Sequence, residues 1–122
     1  MNTKKIKIAI VDDEQDILEM ISKYLIREGS FDVHTFANPV SALGQINETF
    51  DVVLLDIMMP QMNGLDVLVK LQEQKIPAKV IMMTAYSTLD KVLKSHREGA
   101  THYIMKPFSS LQDLAIKIKE VL

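Results

Sequence analysis

Two kinds of segment alternate along the chain, and they differ in the spacing of their apolar residues. Short apolar runs predict five strands, at residues 6–11, 31–36, 52–55, 80–83 and 101–105. In the longer segments apolar residues recur every three or four positions, which is the spacing of one helix face. The five predicted helices carry the stripes Ile17, Ile21, Tyr24 and Leu25; Val40, Leu43 and Ile46; Leu65, Leu68 and Leu71; Leu89, Val92 and Leu93; and Leu111, Leu114, Ile118 and Val121. Strands alternating with helices predict an α/β fold, a doubly wound parallel sheet covered by helices on both faces.

The order of the strands follows from how apolar each one is. A central parallel strand is buried on both faces and is apolar throughout, whereas an edge strand tolerates polar residues. Residues 52–55 and 80–83 are uninterrupted apolar runs, which is typical of central strands. The second strand contains Asp32 and His34, and the fifth contains His102. The order 2-1-3-4-5 is therefore favoured over 3-2-1-4-5, which would put the most apolar strand at an edge.

The positions of capping residues agree with this assignment of strands and helices. Asn38, which is followed by proline, predicts a capped helix start. Gly29 and Gly99 lie where the first and fourth helices should end. Ser87 and Ser109 are the expected caps of the last two helices.

Composition narrows the class of protein. A chain of 122 residues, 48% hydrophobic and 25% charged, is long enough for one folded domain. Its formal net charge of −2 gives no reason to expect nucleic-acid binding. The absence of cysteine excludes disulfides, thiolate metal sites and cysteine nucleophiles. No apolar run is long enough for a membrane span and no signal peptide precedes the first strand, so we expect a cytoplasmic protein with no membrane contact.

Polar residues whose side chains could bind a ligand or react follow four of the predicted strands. Asp12 and Asp13 come after the first strand and Asp56 after the third; Thr84 follows the fourth and Lys106 the fifth. The carboxyl ends of parallel strands meet at one edge of the sheet, and ligands of doubly wound folds bind there. We therefore expect three carboxylates, a hydroxyl and an ammonium group to lie together, although they are far apart in the sequence.

Carboxylates gathered in this way repel one another unless a cation lies between them. Oxygen ligands without nearby histidine or cysteine favour Mg²⁺, with Mn²⁺ as an alternative, and Mg²⁺ often shares its coordination with phosphate. Taken singly, Asp12 and Asp13 are more typical of a helix cap, and Lys106 before a proline is typical of a loop. Their joint position at the strand ends favours phosphoryl transfer to an aspartate.

These residues resemble the receiver domain of two-component response regulators, over the stretch from Lys5 to the C-terminus. The segments that carry the resemblance are Val11-Asp12-Asp13-Glu14, Asp56-Ile57-Met58-Met59-Pro60 with Asn63-Gly64, Thr84-Ala85, Gly99-Ala100 and Tyr103-Ile104-Met105-Lys106-Pro107-Phe108. The resemblance implies a flavodoxin-like fold with strand order 2-1-3-4-5. It also implies a phosphorylation-activated signalling switch rather than an enzyme.

For the acidic residues, the resemblance implies roles in phosphoryl transfer and metal binding. Asp56 would accept a phosphoryl group from a phosphohistidine on a sensor histidine kinase or a phosphotransfer protein. Asp13, Asp56 and the backbone carbonyl of Met58 would bind Mg²⁺ directly, and Asp12 would act mostly through water.

For the remaining site residues, the resemblance implies that Thr84 and Lys106 hold the phosphoryl oxygens. Tyr103 occupies the position of an aromatic switch that turns inward when the threonine moves toward the phosphoryl group. The bond between Lys106 and Pro107 would be cis, which would aim the ammonium group at the site.

Two hypotheses concern behaviour after phosphorylation. The output face is expected to include exposed parts of residues 88–98 and 110–122, because Ile116 lies off the apolar stripe of the last helix. Slow self-dephosphorylation is also expected. Met58 and Tyr86 lie two residues beyond Asp56 and Thr84, where neither offers a base and both hinder water.

Two other classes of protein share parts of this pattern. Phosphohydrolases that resemble haloacid dehalogenases carry a second aspartate two residues after the nucleophile, where this chain has Met58. Receiver-like modules that are never phosphorylated lose an acidic ligand, the acceptor or the lysine, and all of these are present here.

Most relatives attach an output domain. We therefore expect residues 1–122 to form a single receiver domain that either acts on an output protein or belongs to a longer regulator.

The methionine content is high, and six of the methionines lie near predicted strand ends: Met58, Met59, Met62, Met82, Met83 and Met105. Methionine fills irregular gaps in a core readily, so core filling is the expected role of all six.

Overall fold

The computed structural model of the chain describes residues 4–85, 102–106 and 110–122. The strands are β1 (Ile6–Val11), β2 (Phe31–Phe36), β3 (Val52–Asp56), β4 (Lys79–Ala85) and β5 (His102–Lys106). The helices of the described part are α1 (Gln15–Glu28), α2 (Pro39–Gln45), α3 (Gly64–Glu73) and α4 (Leu111–Glu120). The fourth predicted helix, at residues 88–98, lies outside the described residues. None of the described helices combines the length and the apolar character that crossing a lipid bilayer requires.

The strands form one five-stranded sheet in the order β2-β1-β3-β4-β5, and every neighbouring pair is parallel. The predicted order is therefore confirmed. β3 is buried over its whole length, as a central strand should be, while the edge strands β2 and β5 retain exposed positions. β2 lies on one side of β1, and β3 and the later strands lie on the other side. The strand order therefore reverses between β1 and β3, and doubly wound folds bind their ligands at such a point.

Two hydrophobic layers hold the helices against the sheet. On one face α1 and α4 pack on alternate residues of the strands, and the buried core there is Ile8, Ile10, Leu18, Ile21, Leu25, Phe31, Val52, Leu54, Ile81, Met83, Leu114, Ala115, Ile118 and Val121. On the other face α2 and α3 pack on the intervening strand residues, such as Ala9, Val53 and Leu55. Burying one aliphatic side chain contributes about 1.5–3 kcal/mol, so these layers fix the strand ends firmly.

Local capping explains where the helices begin and end. The Asn38 side chain accepts hydrogen bonds from the backbone N–H groups of Val40 and Ser41, at 2.8 and 3.3 Å. Gly29 ends α1 in the left-handed conformation with φ of 93°, which glycine adopts without strain. The last helix is capped by Ser110, so the prediction of Ser109 was wrong by one residue. Ser87 and Gly99 lie outside the described residues.

Some apolar residues lie elsewhere than the spacing predicts. In α2 Val40 is exposed, and Ala42 takes the buried position beside Ile46. Met82 and Met83 fill the core as expected, whereas the side chains of Met58 and Met105 are 52% and 47% exposed. Core filling was therefore the wrong prediction for these last two methionines, which flank the carboxyl ends of β3 and β5.

Candidate functional site

Acidic residues converge at the carboxyl ends of β1 and β3. The register of this strand pair places Val11 beside Leu55, so the residues that follow them, Asp12 and Asp56, are neighbours across the sheet. Asp13 lies next to them, and one carboxylate oxygen from each of the three aspartates lies within 4.8 Å of the others. Asp12 and Asp56 are buried, whereas Asp13 is exposed, so the cluster opens to solvent on the Asp13 side.

Asp12 connects the end of β1 to the start of α1. Its Oδ1 accepts a hydrogen bond of 2.9 Å from the backbone N–H of Glu14, the residue before the helix. Its Oδ2 accepts a hydrogen bond of 2.8 Å from the ammonium group of Lys106. The alternative of a helix-capping role is therefore wrong for Asp12, since the N-cap of α1 is Glu14 and no side chain caps this helix. One oxygen of Asp12 binds the turn before the helix and the other faces the cluster.

Lys106 supplies the positive charge of the cluster. Besides its contact with Asp12, its Nζ lies 3.2 Å from Glu14 Oε1 and 3.3 Å from Asp56 Oδ1. Burial lowers the pKa of this ammonium group, but the hydrogen bond to Asp12 and the charge of Asp56 outweigh it, and the pKa is raised overall. The side chain is therefore charged at neutral pH, and it contacts both buried aspartates.

Asp56 has the most perturbed carboxyl group of the site. Burial and the neighbouring charge of Asp12 raise its pKa to about 7, against the opposing effects of Lys106 and of a hydrogen bond from the backbone of Met58. One ammonium group thus does not neutralise the cluster, because the carboxylates around it are more numerous. Additional positive charge at this position would favour the ionised form of Asp56.

The three acidic residues could hold a metal ion. Their oxygens are close enough for a common ligand, two of them are buried, and the donors are all carboxylates. Such hard oxygen donors suit Mg²⁺ or Mn²⁺ better than zinc. Burial, and after it the charge of Asp12, raises the pKa of Asp56, so a divalent cation held by these oxygens would favour its ionised form.

The other residues predicted for this site lie around the cluster. Asp56 pairs with Met83 in the β3–β4 register, so Thr84 is one residue further along the neighbouring strand. The backbone of Thr84 belongs to β4, and its side chain lies outside the described part of the structure. Tyr103 is partly buried in β5 and packs against the core beneath α2 and α3. Tyr86 and Pro107 are outside the described residues, so the predicted water shielding and the cis bond stay predictions.

Comparison with known proteins assigns the chain to a family. A family model described as the response regulator receiver domain matches residues 8–119. The chain belongs to this family. The receiver domain is also 34% identical, over 115 residues, to the response regulator SaeR of Staphylococcus aureus. That alignment covers 94% of the chain and 50% of SaeR, so the chain spans about half the length of the curated relatives it matches.

Solved structures agree with this assignment. A CheY-like response regulator receiver domain protein from Methanospirillum hungatei is 38% identical, with a TM-score of 0.89 and coverage of 97% of this chain and 94% of that one. The chemotaxis protein CheY4 of Vibrio cholerae is 30% identical with a TM-score of 0.87, and coverage is 98% of this chain and 100% of that one. The fold predicted from the resemblance is therefore confirmed.

Two residues of the receiver domain contribute to the site in ways that sequence reasoning did not assign. Glu14 contacts Lys106, and its signals in the sequence were its position directly after the aspartate pair and its place in a segment that carries the resemblance. Gly64 lies against the backbone of Asp56, and the Asn63-Gly64 pair was likewise part of the resemblance without an assigned role. Both contacts depend on how separate elements approach each other, which residue spacing does not define.

Proposed function

We propose that this receiver domain is a phosphorylation-controlled switch in which Asp56 accepts the phosphoryl group. The donor is a phosphohistidine on a sensor histidine kinase or a phosphotransfer protein. One observation carries the proposal: the buried Asp56 carboxylate lies within reach of two further carboxylates and one ammonium group. This is the set of groups that phosphoryl transfer to an aspartate requires.

Asp12, Asp13 and Asp56 are the proposed metal-binding residues, together with the backbone carbonyl of Met58. Mg²⁺ is the proposed ion and Mn²⁺ the alternative, and Asp12 is proposed to act mostly through water. When bound, the ion supplies positive charge that favours ionised Asp56 and offsets the charge of the phosphoryl oxygens. Because Asp13 is exposed, the proposed metal site is open to solvent on the side of this residue.

The proposed reaction is a direct transfer between donor and acceptor. A carboxylate oxygen of Asp56 attacks phosphorus, an O–P bond forms, and the bond between phosphorus and the donor imidazole nitrogen breaks. The electron pair of that bond stays on the imidazole nitrogen. In the proposal the ammonium group of Lys106, which lies 3.3 Å from Asp56 Oδ1, donates a hydrogen bond to a phosphoryl oxygen. The Thr84 hydroxyl is the proposed second donor.

The proposed outcome is a change in binding rather than turnover of an external substrate. A phosphoryl group adds about −1.5 to −2 charges at the site. In the proposal this charge draws Thr84 toward it, Tyr103 turns inward, and the population shifts toward a form that binds an output protein or an attached output domain. The second residue after Asp56 is Met58, which is no general acid, so hydrolysis of phosphate esters is not proposed. The cytoplasmic location expected from the sequence is part of this proposal.

Uptake of phosphate from a small donor tests the proposal. The protein is incubated with acetyl phosphate, with Mg²⁺ or with a chelator, and its intact mass is followed. We expect the mass of one phosphoryl group to appear only with Mg²⁺ and to be absent in Asp56→Asn. Asp32→Asn is the matched control, because Asp32 is exposed on the edge strand β2 and should not affect uptake. Equal uptake by Asp56→Asn would contradict the proposal.

A further inference from the structure

Gly64 is the first residue of α3, and it lies directly against the backbone at the end of β3. Its N–H donates a hydrogen bond of 2.8 Å to the carbonyl oxygen of Ile57. A Cβ atom at this position would lie 2.2 Å from the carbonyl oxygen of Asp56 and 2.9 Å from both Asp56 C and Ile57 Cα. Non-bonded atoms do not approach this closely, and backbone atoms cannot rotate away as a side chain can. Glycine is therefore required here for space.

Two other glycines of the described part differ from it in kind. Gly29 has a φ of +93° and nothing within 4 Å of an added Cβ, so it is required for its backbone conformation. Gly44 is exposed in α2 and also has nothing within 4 Å. Among these three positions, a methyl group would strike the backbone of another element only at Gly64.

We propose that Gly64 is a positioning residue for phosphoryl transfer. By carrying no side chain it lets the start of α3 lie against the Asp56–Ile57 peptide, and this contact fixes the Asp56 carboxylate relative to the other aspartates and Lys106. The inference rests on the proposed function, since it assumes that Asp56 is the acceptor. It adds a residue that touches neither the metal site nor the phosphoryl group and acts through Asp56.

The anchoring of the neighbouring elements indicates where a strain at Gly64 would be relieved. α3 is held by Leu65, Leu68 and Leu71, which are buried in the core. β3 is paired on both sides, with β1 and with β4. The peptide between Asp56 and Ile57 is held as well, because its N–H donates a 3.2 Å hydrogen bond to the carbonyl oxygen of Met83. A Cβ at Gly64 therefore strains the peptide that carries Asp56 together with the start of α3.

The movement that a Cβ at Gly64 would require is large compared with the tolerances of the site. The Cβ and the carbonyl oxygen of Asp56 must separate by 0.8 Å to reach even the 3.0 Å limit from 2.2 Å. The Asp56 contact with Lys106 is 3.3 Å long, so a shift of this size would break it or change its geometry. Misplacement of a reacting group by ~1 Å costs up to about 100-fold in rate.

Gly64→Ala tests this inference, with Gly44→Ala and Gly29→Ala as controls. We expect Gly64→Ala to lower the rate of phosphorylation by acetyl phosphate at saturating Mg²⁺ by at least about tenfold. Gly44→Ala should match the wild type in rate and be equally or slightly more stable, because alanine is the better helix former. Gly29→Ala should lower thermal stability through strain at its positive φ, yet keep the wild-type rate at a temperature where it is folded. Gly29→Ala thus shows whether a loss of stability by itself lowers the phosphorylation rate.

A second pair of variants covers the case in which Gly64→Ala does not fold. Asn63 caps α3 through a 3.0 Å hydrogen bond from the N–H of Asp66, and Asn38 caps α2 in the same way. Each Asn→Ala change loosens one helix start at a similar cost, about 1 kcal/mol. Of these two helices, α3 is the one that begins against Asp56, so we expect the phosphorylation rate to fall in Asn63→Ala and to stay unchanged in Asn38→Ala.

The outcomes separate this inference from the function on which it rests. Wild-type uptake of the phosphoryl group together with an unchanged rate in Gly64→Ala would overturn the positioning role and leave the proposed function standing. The same holds if Gly64→Ala is unfolded and Asn63→Ala phosphorylates at the wild-type rate. Failure of the wild type itself to take up a phosphoryl group would overturn the proposed function first.

Discussion

Keeping the Asp56 carboxyl group ionised lowers the stability of the folded protein when no metal ion is bound. Its pKa is about 7 in the fold, against 3.8 for an ordinary aspartate. An acid whose pKa is raised on folding contributes most to stability below pH 3.8, and this contribution is lost as the pH rises toward 7. At higher pH the cost is constant, because Asp56 is then ionised in both the folded and the unfolded protein. The fold therefore holds a carboxylate that is available for a cation at the expense of its own stability.

The first prediction concerns this cost. In the presence of a chelator, Asp56→Asn should raise the free energy of unfolding at about pH 8 by roughly 2–4 kcal/mol, because it removes the buried charge. At about pH 5 the gain should be smaller, since Asp56 is then mostly protonated in the fold. Urea unfolding at both pH values measures the difference, with Glu19→Gln, which changes an exposed carboxyl group of α1, as control. A gain of equal size at both pH values would show that burial of the ionised form is not its cause.

A second prediction at the residue scale follows from competition between a proton and a cation at Asp56. Binding of Mg²⁺ requires the ionised carboxylate, so the affinity should fall by up to about tenfold for each pH unit below 7. Above about pH 8 it should be nearly constant. Isothermal titration calorimetry across this range measures the dependence. An affinity that does not change with pH would mean that Asp56 is not among the ligands.

At the scale of secondary structure, the strands were predictable because apolar runs report burial directly. β1 and β2 have the predicted bounds, and the order of strands followed from Asp32, His34 and the apolar run in β3. Helix faces were less certain in short helices. α2 has only 7 residues, and its spacing identified Val40 as buried where the structure buries Ala42. Three apolar positions do not define which face of a short helix is buried, because a small residue such as Ala42 can occupy a buried position as well.

The third prediction concerns the cap of α2. Asn38 satisfies two backbone N–H groups that have no partner within the helix, so Asn38→Ala should lower the free energy of unfolding by about 1 kcal/mol. Ser41→Ala, on the exposed face of the same helix, should be neutral or slightly stabilising. Urea denaturation of both variants measures the difference. Equal stability of the two variants would show that the cap contributes nothing.

At the scale of the whole molecule, the convergence of Asp12, Asp13, Asp56 and Lys106 was predictable from topology alone. Parallel strands bring their carboxyl ends to one edge, so residue positions at strand ends are sufficient. The contacts of Glu14 and Gly64 were not predictable in this way. They depend on the distances between α1, α3 and the sheet, which are set by core residues on several elements. The exposure of Met58 and Met105 has the same origin, because the packing of apolar residues near strand ends depends on how separate elements approach each other.

The fourth prediction concerns the proposed output face. Ile116 is 49% exposed on α4, within the predicted output face at residues 110–122. Ile116→Asp should weaken binding of the phosphorylated domain to its output partner by about tenfold or more, as loss of an apolar anchor does. Val40→Asp makes the same change on α2, on the opposite face of the sheet, and should leave binding intact. Equal affinity of Ile116→Asp and the wild type would exclude Ile116 from the interface.

A crystal structure of the protein with Mg²⁺ and beryllium fluoride, which mimics an aspartyl phosphate, tests the central claim most directly. We expect the beryllium fluoride group on a carboxylate oxygen of Asp56 and the Mg²⁺ ion about 2.0–2.1 Å from oxygens of Asp13 and Asp56. Lys106 should contact a fluorine atom. Beryllium fluoride bound to another carboxylate, or an ion bound away from these aspartates, would contradict the account.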